Sequence, residues 1–428
     1  MPDIPAAAPS PAPFAVVLEG VLCRTDLQIE ARVQAFSADP VRSLSGHAAP
    51  ALSAEALPLD GDVLDALRTA RADGRPTLLV TSGGLAQADL IAQELGLFDE
   101  VVHLPDTAAA ELHSELAVRF SPELELVQST PAPSGAPGNT RAQIKAIRPH
   151  QWSKNLLVFL PTLAAHDTGG IGAAVAAFVA FSLTASSVYV LNDLSDLAAD
   201  RAHPRKRFRP FAAGTLSVSE GLRMALGLVL GALVVSVLFL PLQFLGVLGL
   251  YYVATFAYSF WLKRKLVIDV IMLASLYTIR IIAGAVASAV WLSPWMLGFS
   301  MFIFLSLAAV KRQAELTDML RAGDAARAGR GYVPDDLPVI RSMALAAGYA
   351  AVLVLALYIS SEDVSRFYSI PEALWLLCPI LLYWVSRIVM NTHRGRMTDD
   401  PIVYAAKDRV SIGAVLLSAA IVIAASEL

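Results

Sequence analysis

The chain has 428 residues, 56% of them hydrophobic and only 16% charged, with a mean hydropathy of +0.57. That balance excludes an ordinary soluble domain for most of the chain and predicts a bundle of spans in lipid. A formal net charge of −4 argues against nucleic acid as a partner, although the total hides where the charges sit. Cys23 and Cys378 stand too far apart, without metal-ligand neighbours, for a disulfide framework or a zinc site.

Residues 1–13 are rich in Ala and Pro, read as disordered, and lack the basic and apolar regions of a cleaved secretory signal, which leaves the following domain in the cytosol. Residues 14–127 alternate short apolar runs (Phe14 to Leu18, Pro76 to Val80, Val101-Val102) with helical segments, the pattern of a small soluble α/β domain with a parallel sheet. Residues 128–141, with Pro, Ser, Gly and Asn crowded together, read as a flexible linker. Residues 142–428 then read as an all-α polytopic membrane bundle of about nine transmembrane helices. Apolar stretches fall near 155–168, 171–191, 219–239, 242–261, 267–287, 292–310, 341–360, 372–390 and 410–427, the first of them short for a span. The basic loops (Arg201 to Arg209; Lys263 to Lys265; Lys311 to Arg330; Arg394 to Arg409) alternate with loops that offer only Arg366. By the positive-inside rule the basic set faces the cytosol and the C-terminus the far side of the cell (inner) membrane.

The second span ends in Asn192-Asp193-Leu194-Ser195-Asp196, then Asp200 and the basic run His203 to Pro210. On a continuous helix Asn192, Asp196 and Asp200 share one face, with Asp193 beside them. Oxygens so grouped suit Mg2+, which takes a few carboxylates plus substrate phosphate oxygens and makes a diphosphate a better leaving group. Carboxylates at membrane depth are costly and usually functional, against the bland reading of a solvated helix end. Lys206 and Arg209 are the expected partners of the outer phosphate oxygens. A second group joins Tyr258 and Lys263 to Asp269 and Arg280; Asp269 is expected to bind a second metal or to orient Lys263, and Asp269 and Arg280 to line the site or form a buried ion pair. Arg264 and Lys265 read as topology anchors. Before the first span, Lys154 and Asn155 follow an interfacial Trp152 and are expected either to anchor the segment or to bind phosphate.

Together, Arg148-Pro149-x-Gln151-Trp152-x-Lys154-Asn155, the Asn192 to Asp200 motif, His203-Pro204-x-Lys206-Arg207-x-Arg209-Pro210 and Tyr258…Lys263…Asp269 resemble the UbiA superfamily from about Arg148 to the C-terminus. The flanking segments, and Asp399-Asp400-Pro401…Lys407-Asp408-Arg409, most resemble decaprenyl-phosphate phosphoribosyltransferases. That resemblance implies transfer of 5-phosphoribose from phosphoribosyl diphosphate to a polyprenyl phosphate lipid, with Mg2+ on Asn192, Asp193, Asp196, Asp200 and Asp269. Aromatic prenyltransferases of the superfamily usually carry another carboxylate where this chain has Leu273. The remaining alternatives are such a prenyltransferase, a cation-coupled transporter or lipid-binding membrane protein, and a scaffold. The first domain resembles haloacid-dehalogenase-like phosphatases, with Val17 at the position of the nucleophilic Asp and Glu19 at that of the second acid. Without a nucleophile covalent phosphoryl transfer cannot begin, so this domain is expected to be catalytically dead.

Overall fold

The computed structural model describes residues 11–39, 42–43, 49, 51–105, 107–128, 138–165, 167–322, 331–361, 364, 368–397 and 400–427. Most of the expected disordered N-terminus and the expected linker from 129 to 137 lie outside the described residues. Two compact units emerge, Met1–Pro149 with Ser186–Val229, and His150–Ala185 with Leu230–Leu428. The boundary expected near residue 142 is therefore not the packing boundary: the aspartate-rich end of the second span groups with the N-terminal domain.

The chain begins with β1 (Phe14–Val17), α1 (Leu27–Ala38), α2 (Gly61–Ala72), β2 (Thr77–Thr81), α3 (Leu85–Leu95), β3 (Glu100–His103), α4 (Leu112–Arg119) and β4 (Glu125–Val127). The strands form one parallel sheet in the order β3-β2-β1-β4. β2 is buried along its whole length, which is why its residues read as a continuous apolar run without alternation. Successive residues feed opposite faces: Val16, Leu18 and Leu79 join one core with Leu67 and Ile91, while Ala15, Leu78 and Val80 join another with Val102 and Leu116. Asp26 and Asp60 cap α1 and α2 by accepting amide hydrogens from Ile29 at 3.0 Å and from Asp62 at 3.0 Å.

α5 (Gly138–Ile147) occupies the end of the expected linker. Pro149–Phe159 then winds as a 3-10 stretch into the five-residue α6 (Leu160–Ala164). The expected first α-helical span is thus replaced by tighter winding, and Pro161 contributes to it, because it offers no amide hydrogen to the turn before it. The remaining helices are α7 (Ile171–Ser195), α8 (Leu197–Ala202), α9 (Val218–Phe239), α10 (Leu242–Phe260), α11 (Ile268–Ser288), α12 (Pro294–Ala322), α13 (Leu337–Ile359), α14 (Leu377–His393), α15 (Pro401–Lys407) and α16 (Arg409–Glu427). Among the described residues eight helical segments are long and apolar enough to cross a membrane, so the expected nine becomes eight plus the short 149–164 stretch. α9 starts in a reciprocal cap, in which Glu220 accepts from the Ser217 amide at 2.9 Å and the Ser217 hydroxyl accepts from the Glu220 amide at 3.2 Å. The core of the second unit gathers Val270 and Ile281 of α11, Ala309 and Val310 of α12, Ala344 and Ala351 of α13 and Ile388 of α14.

Candidate active site

The aspartate motif does not ride one unbroken helix. α7 ends at Ser195, Asp196 adopts φ −100° and ψ 13°, and α8 follows. The i→i−4 ladder nevertheless continues, with the Asp196 amide on the Asn192 carbonyl at 3.0 Å and the Asp200 amide on the Asp196 carbonyl at 2.8 Å. Asp193 and Asp200, seven residues apart, therefore still converge. Arg209 Nη1 bridges them, 3.1 Å from Asp193 Oδ1 and 2.6 Å from Asp200 Oδ2. Both carboxylates are buried. Lys206 Nζ stands 3.9 Å from Asp200 Oδ1, and the predicted phosphate ligands Lys206 and Arg209 thus lie beside the predicted acids. Asp196 is half-buried at the break.

A third cation completes the group. Arg148 pairs with Asp193 Oδ1 and lies over the Tyr189 ring, 5.4 Å from its centroid. Its backbone sits at φ +51°, a left-handed conformation that costs a non-glycine residue on the order of 1–3 kcal/mol and clusters at functional sites. Sequence reasoning found Arg148 only as part of a motif; the available signal was its place directly before Pro149. Among the described residues no three acidic, His or Cys side chains form a ready metal cage, and Arg209 holds Asp193 and Asp200 together as an ion-pair bridge. Asn192 Oδ1 is buried without a hydrogen-bond partner, an acceptor left open at the start of the motif. One or two carboxylates, an amide oxygen and substrate phosphates are the donor set Mg2+ prefers. The residues present fit that ion provided a phosphate arrives with it.

Asp269 is placed differently from expectation. It is fully buried; Tyr332 donates its hydroxyl to Oδ1 at 2.6 Å, and Arg312 Nη2 lies 2.7 Å from Oδ2. That approach is an ion pair without an aligned N–H···O bond, since both atoms lack a hydrogen-bond partner by geometry. Asp269 is thus held in a buried ion pair, but its cation is Arg312, whereas the expected ion-pair partner was Arg280 and the expected neighbour Lys263. Lys263 sits half-buried in the 3-10 turn Leu262–Arg264, and Tyr258 lies near the end of α10. Val267, at φ +66°, donates its amide to the Tyr332 hydroxyl at 2.9 Å, so one tyrosine fixes both the strained turn and the carboxylate.

Arg280 is likewise consumed internally. Nε donates to Asn155 Oδ1 at 2.8 Å, Nη2 to the Tyr251 hydroxyl at 2.9 Å and Nη1 to the Leu276 carbonyl, while Asn155 Nδ2 donates to Ser182 Oγ at 3.0 Å. Asn155 and Arg280, expected to bind substrate, instead brace α11 against the 149–159 stretch and α7. The physical reason is that a guanidinium at this depth must satisfy its donors locally.

Lys154 leads to a site the sequence only half revealed. Its Nζ and that of Lys311 each lie 3.1 Å from Asp400 Oδ2, while Asp400 Oδ1 caps α15 through the Ile402 amide at 3.1 Å. Beside Lys154 opens a cavity of about 400 Å³ lined by Leu156, Leu160, Phe304, Trp384, Ile402 and Val415. Two cations and one anion at the mouth of an apolar groove suit an amphiphile with an anionic head. Burial alone would raise the Asp400 carboxyl, but Lys154 and Lys311 outweigh it and hold it below the ordinary carboxylate range. A depressed carboxyl stabilises fully above the unfolded value near 3.9 and loses that contribution as pH falls through the folded value. Melting temperatures in detergent are therefore expected to drop below about pH 4 in the native chain, with this component missing from Asp400→Asn; parallel curves would contradict it.

In the α/β domain Glu19 accepts from Thr81 Oγ1 at 2.5 Å, the Gly83 amide at 3.2 Å and the Ser82 amide at 3.3 Å. Glu19, just beyond β1, and Thr81, the last residue of β2, thus meet, and Val17, at the end of β1, offers no nucleophile.

The model of the UbiA prenyltransferase family matches residues 156–404, more than half of the chain. The chain belongs to this family. It is 34% identical to the uncharacterized protein y4nM of Sinorhizobium fredii over 85% of this chain and 79% of that one. It is 37% identical to the nodulation protein NoeC of Azorhizobium caulinodans (64% of this chain, 89% of that protein). With the decaprenyl-phosphate phosphoribosyltransferase of Mycolicibacterium smegmatis the identity is 35% (65% and 90%). The first alignment covers more of this UbiA-family chain than the part from residue 142 onward can supply, so it includes α/β-domain sequence.

Proposed function

We propose that this UbiA-family protein transfers 5-phosphoribose from phosphoribosyl diphosphate to a polyprenyl phosphate, releasing diphosphate, in the cell membrane with its site facing the cytosol. The observation that carries the reading is the set of two buried aspartates bridged by Arg209, with Arg148 on Asp193, Lys206 near Asp200 and the open Asn192 oxygen at the start of the motif. Support for the transferred group and the acceptor comes from the M. smegmatis relative, which is named a decaprenyl-phosphate phosphoribosyltransferase.

Asn192, Asp193, Asp196 and Asp200 are the residues that hold Mg2+ in this reading. Mg2+ held there would supply charge neutralisation of the diphosphate and so a better leaving group. The two arginines guard the carboxylates until an anionic diphosphate offers them a better partner; their forks then turn to phosphate oxygens. Lys206 adds charge at the outer phosphate. The anomeric carbon loses diphosphate through an oxocarbenium-like state, and the lipid phosphate oxygen attacks it. This acceptor is already ionised, so no general base is required, and the residues act by charge and position. The apolar groove takes the polyprenyl chain, and Lys154 with Lys311 takes its phosphate. The α/β domain, in this reading a haloacid-dehalogenase-like fold, has no phosphatase activity.

The test is purified protein with Mg2+, given labelled phosphoribosyl diphosphate and polyprenyl phosphate, and separately a prenyl diphosphate and a hydroxybenzoate. A labelled lipid in the first reaction is expected. Product confined to the second overturns the donor assignment. Lys154→Met and Lys311→Met are expected to raise the KM for the lipid about ten-fold each, the loss of one charge-assisted contact.

A further inference from the structure

We propose that the α/β domain is a positioning element for the donor loop, acting through one buried ion pair, Glu30 with Arg201. Glu30 of α1 is fully buried and Arg201, in α8, nearly so. The guanidinium is bidentate on the carboxylate, at 2.5 Å from Oε1 and 3.1 Å from Oε2. It also donates to the Ala56 carbonyl and, through Nε, to the Ala212 carbonyl at 3.2 Å. Gln34 donates to Glu30 Oε1 at 2.9 Å and keeps the carboxylate on its rotamer.

Arg201 follows Asp200 directly, and Ala212 lies three residues beyond Arg209. The bond from Arg201 to Ala212 therefore closes the loop that carries Lys206 and Arg209, and Glu30 fixes the guanidinium that makes the closure. Other contacts repeat the pattern. Ile29 and Val33, on the same face of α1 as Glu30, pack with the cluster of Leu194, Leu197, Phe211 and Leu216. Lys145 of α5 donates to the Phe208 carbonyl at 3.0 Å. Gly214, at φ +69°, lies so close that a Cβ would meet Pro58 at 3.0 Å and Arg24 at 3.2 Å. A packed apolar pair would fill the Glu30–Arg201 space at lower desolvation cost; what the ionic pair adds is the planar fork that reaches three carbonyl or carboxylate acceptors at once. A domain without a nucleophile thereby serves the reaction indirectly, by holding the phosphate-binding loop against the aspartates.

The experiment uses the full chain in detergent with Glu30→Gln, the milder Glu30→Asp, and the exchange Glu30→Arg with Arg201→Glu. Trypsin cleavage after Arg205, Lys206 and Arg207, followed by mass spectrometry, reads loop closure without any substrate. Glu30→Gln is expected to accelerate it about ten-fold, the equivalent of one lost charge-assisted contact, with Glu30→Asp intermediate and the exchange restoring slow cleavage. The kinetic arm rests on the proposed donor: its KM rises about ten-fold in Glu30→Gln while kcat and the KM for the lipid stay within about two-fold. Native cleavage rates in both Glu30→Gln and Glu30→Asp, or equal rises in both KM values, overturn the proposal. If the native chain fails to use phosphoribosyl diphosphate, the cleavage arm still decides the positioning role.

Discussion

Asp200→Asn is expected to lower Mg2+-dependent turnover by about 10²–10³-fold, the size of effect that follows loss of one preorganised electrostatic group at a reacting centre. The substitution keeps the shape of a nearly inaccessible side chain and removes only its charge, so packing loss does not account for the result. Two consequences separate a metal role from a purely structural one. In initial-rate measurements the Mg2+ concentration giving half-maximal rate should move upward, since one anionic ligand is gone. Arg209, which loses its 2.6 Å partner while keeping Asp193, should remain ordered, and the melting temperature should fall by only a few degrees. Unchanged turnover with an unchanged Mg2+ midpoint would remove Asp200 from the reaction. Arg209→Lys is the complementary change: one ammonium cannot span both carboxylates as a guanidinium fork does.

The acids and the cations of this site were legible for different reasons. Asp193, Asp196 and Asp200 stand out because charge is rare where an apolar span meets a loop, and the basic run from Arg205 to Arg209 follows them in sequence. Their pairing was not legible. Arg148 meets Asp193 from 45 residues away, Lys311 meets Asp400 from 89, and Arg201 meets Glu30 from 171; no local period encodes such distances. Lys311 read as a loop charge setting topology, although it lies inside α12 and shares a carboxylate with Lys154. Arg280 and Asn155 were legible as unusual but not as each other's partners, because a buried polar residue looks the same in sequence whether it faces substrate or a neighbouring helix. The eight long helices follow directly from apolar length. The 149–164 stretch does not, since its composition says membrane while Pro161 contributes to a tighter winding. In the α/β domain the strand runs were visible and give a parallel sheet, yet nothing local showed that α1 presents Glu30 to the end of the second span.

The largest structural effect is expected from a residue with no charge at all. Gly284 lies near the C-terminal end of α11, and a Cβ built there would overlap the Val158 carbonyl oxygen and stand 2.8 Å from its carbonyl carbon. The obstructing atoms are backbone, so no rotamer change relieves the clash, and either α11 or the 149–159 stretch must move. Small residues permit such approaches between membrane segments, where close backbone packing replaces the hydrophobic drive available in water. Gly284→Ala should therefore cost at least the ~1–3 kcal/mol of an overpacked core, even though alanine is the better helix former by ~1 kcal/mol. Gly249→Ala in α10 is the control, because a Cβ there meets nothing within 4 Å, and its melting temperature should match or exceed the native one. The displaced stretch also carries Asn155 and Lys154, four residues or fewer before Val158. Gly284→Ala should consequently lose both thermal stability and lipid-phosphate affinity, whereas a variant that loses stability alone would show that Lys154 is held by Asp400 and not by the packing of the stretch against α11.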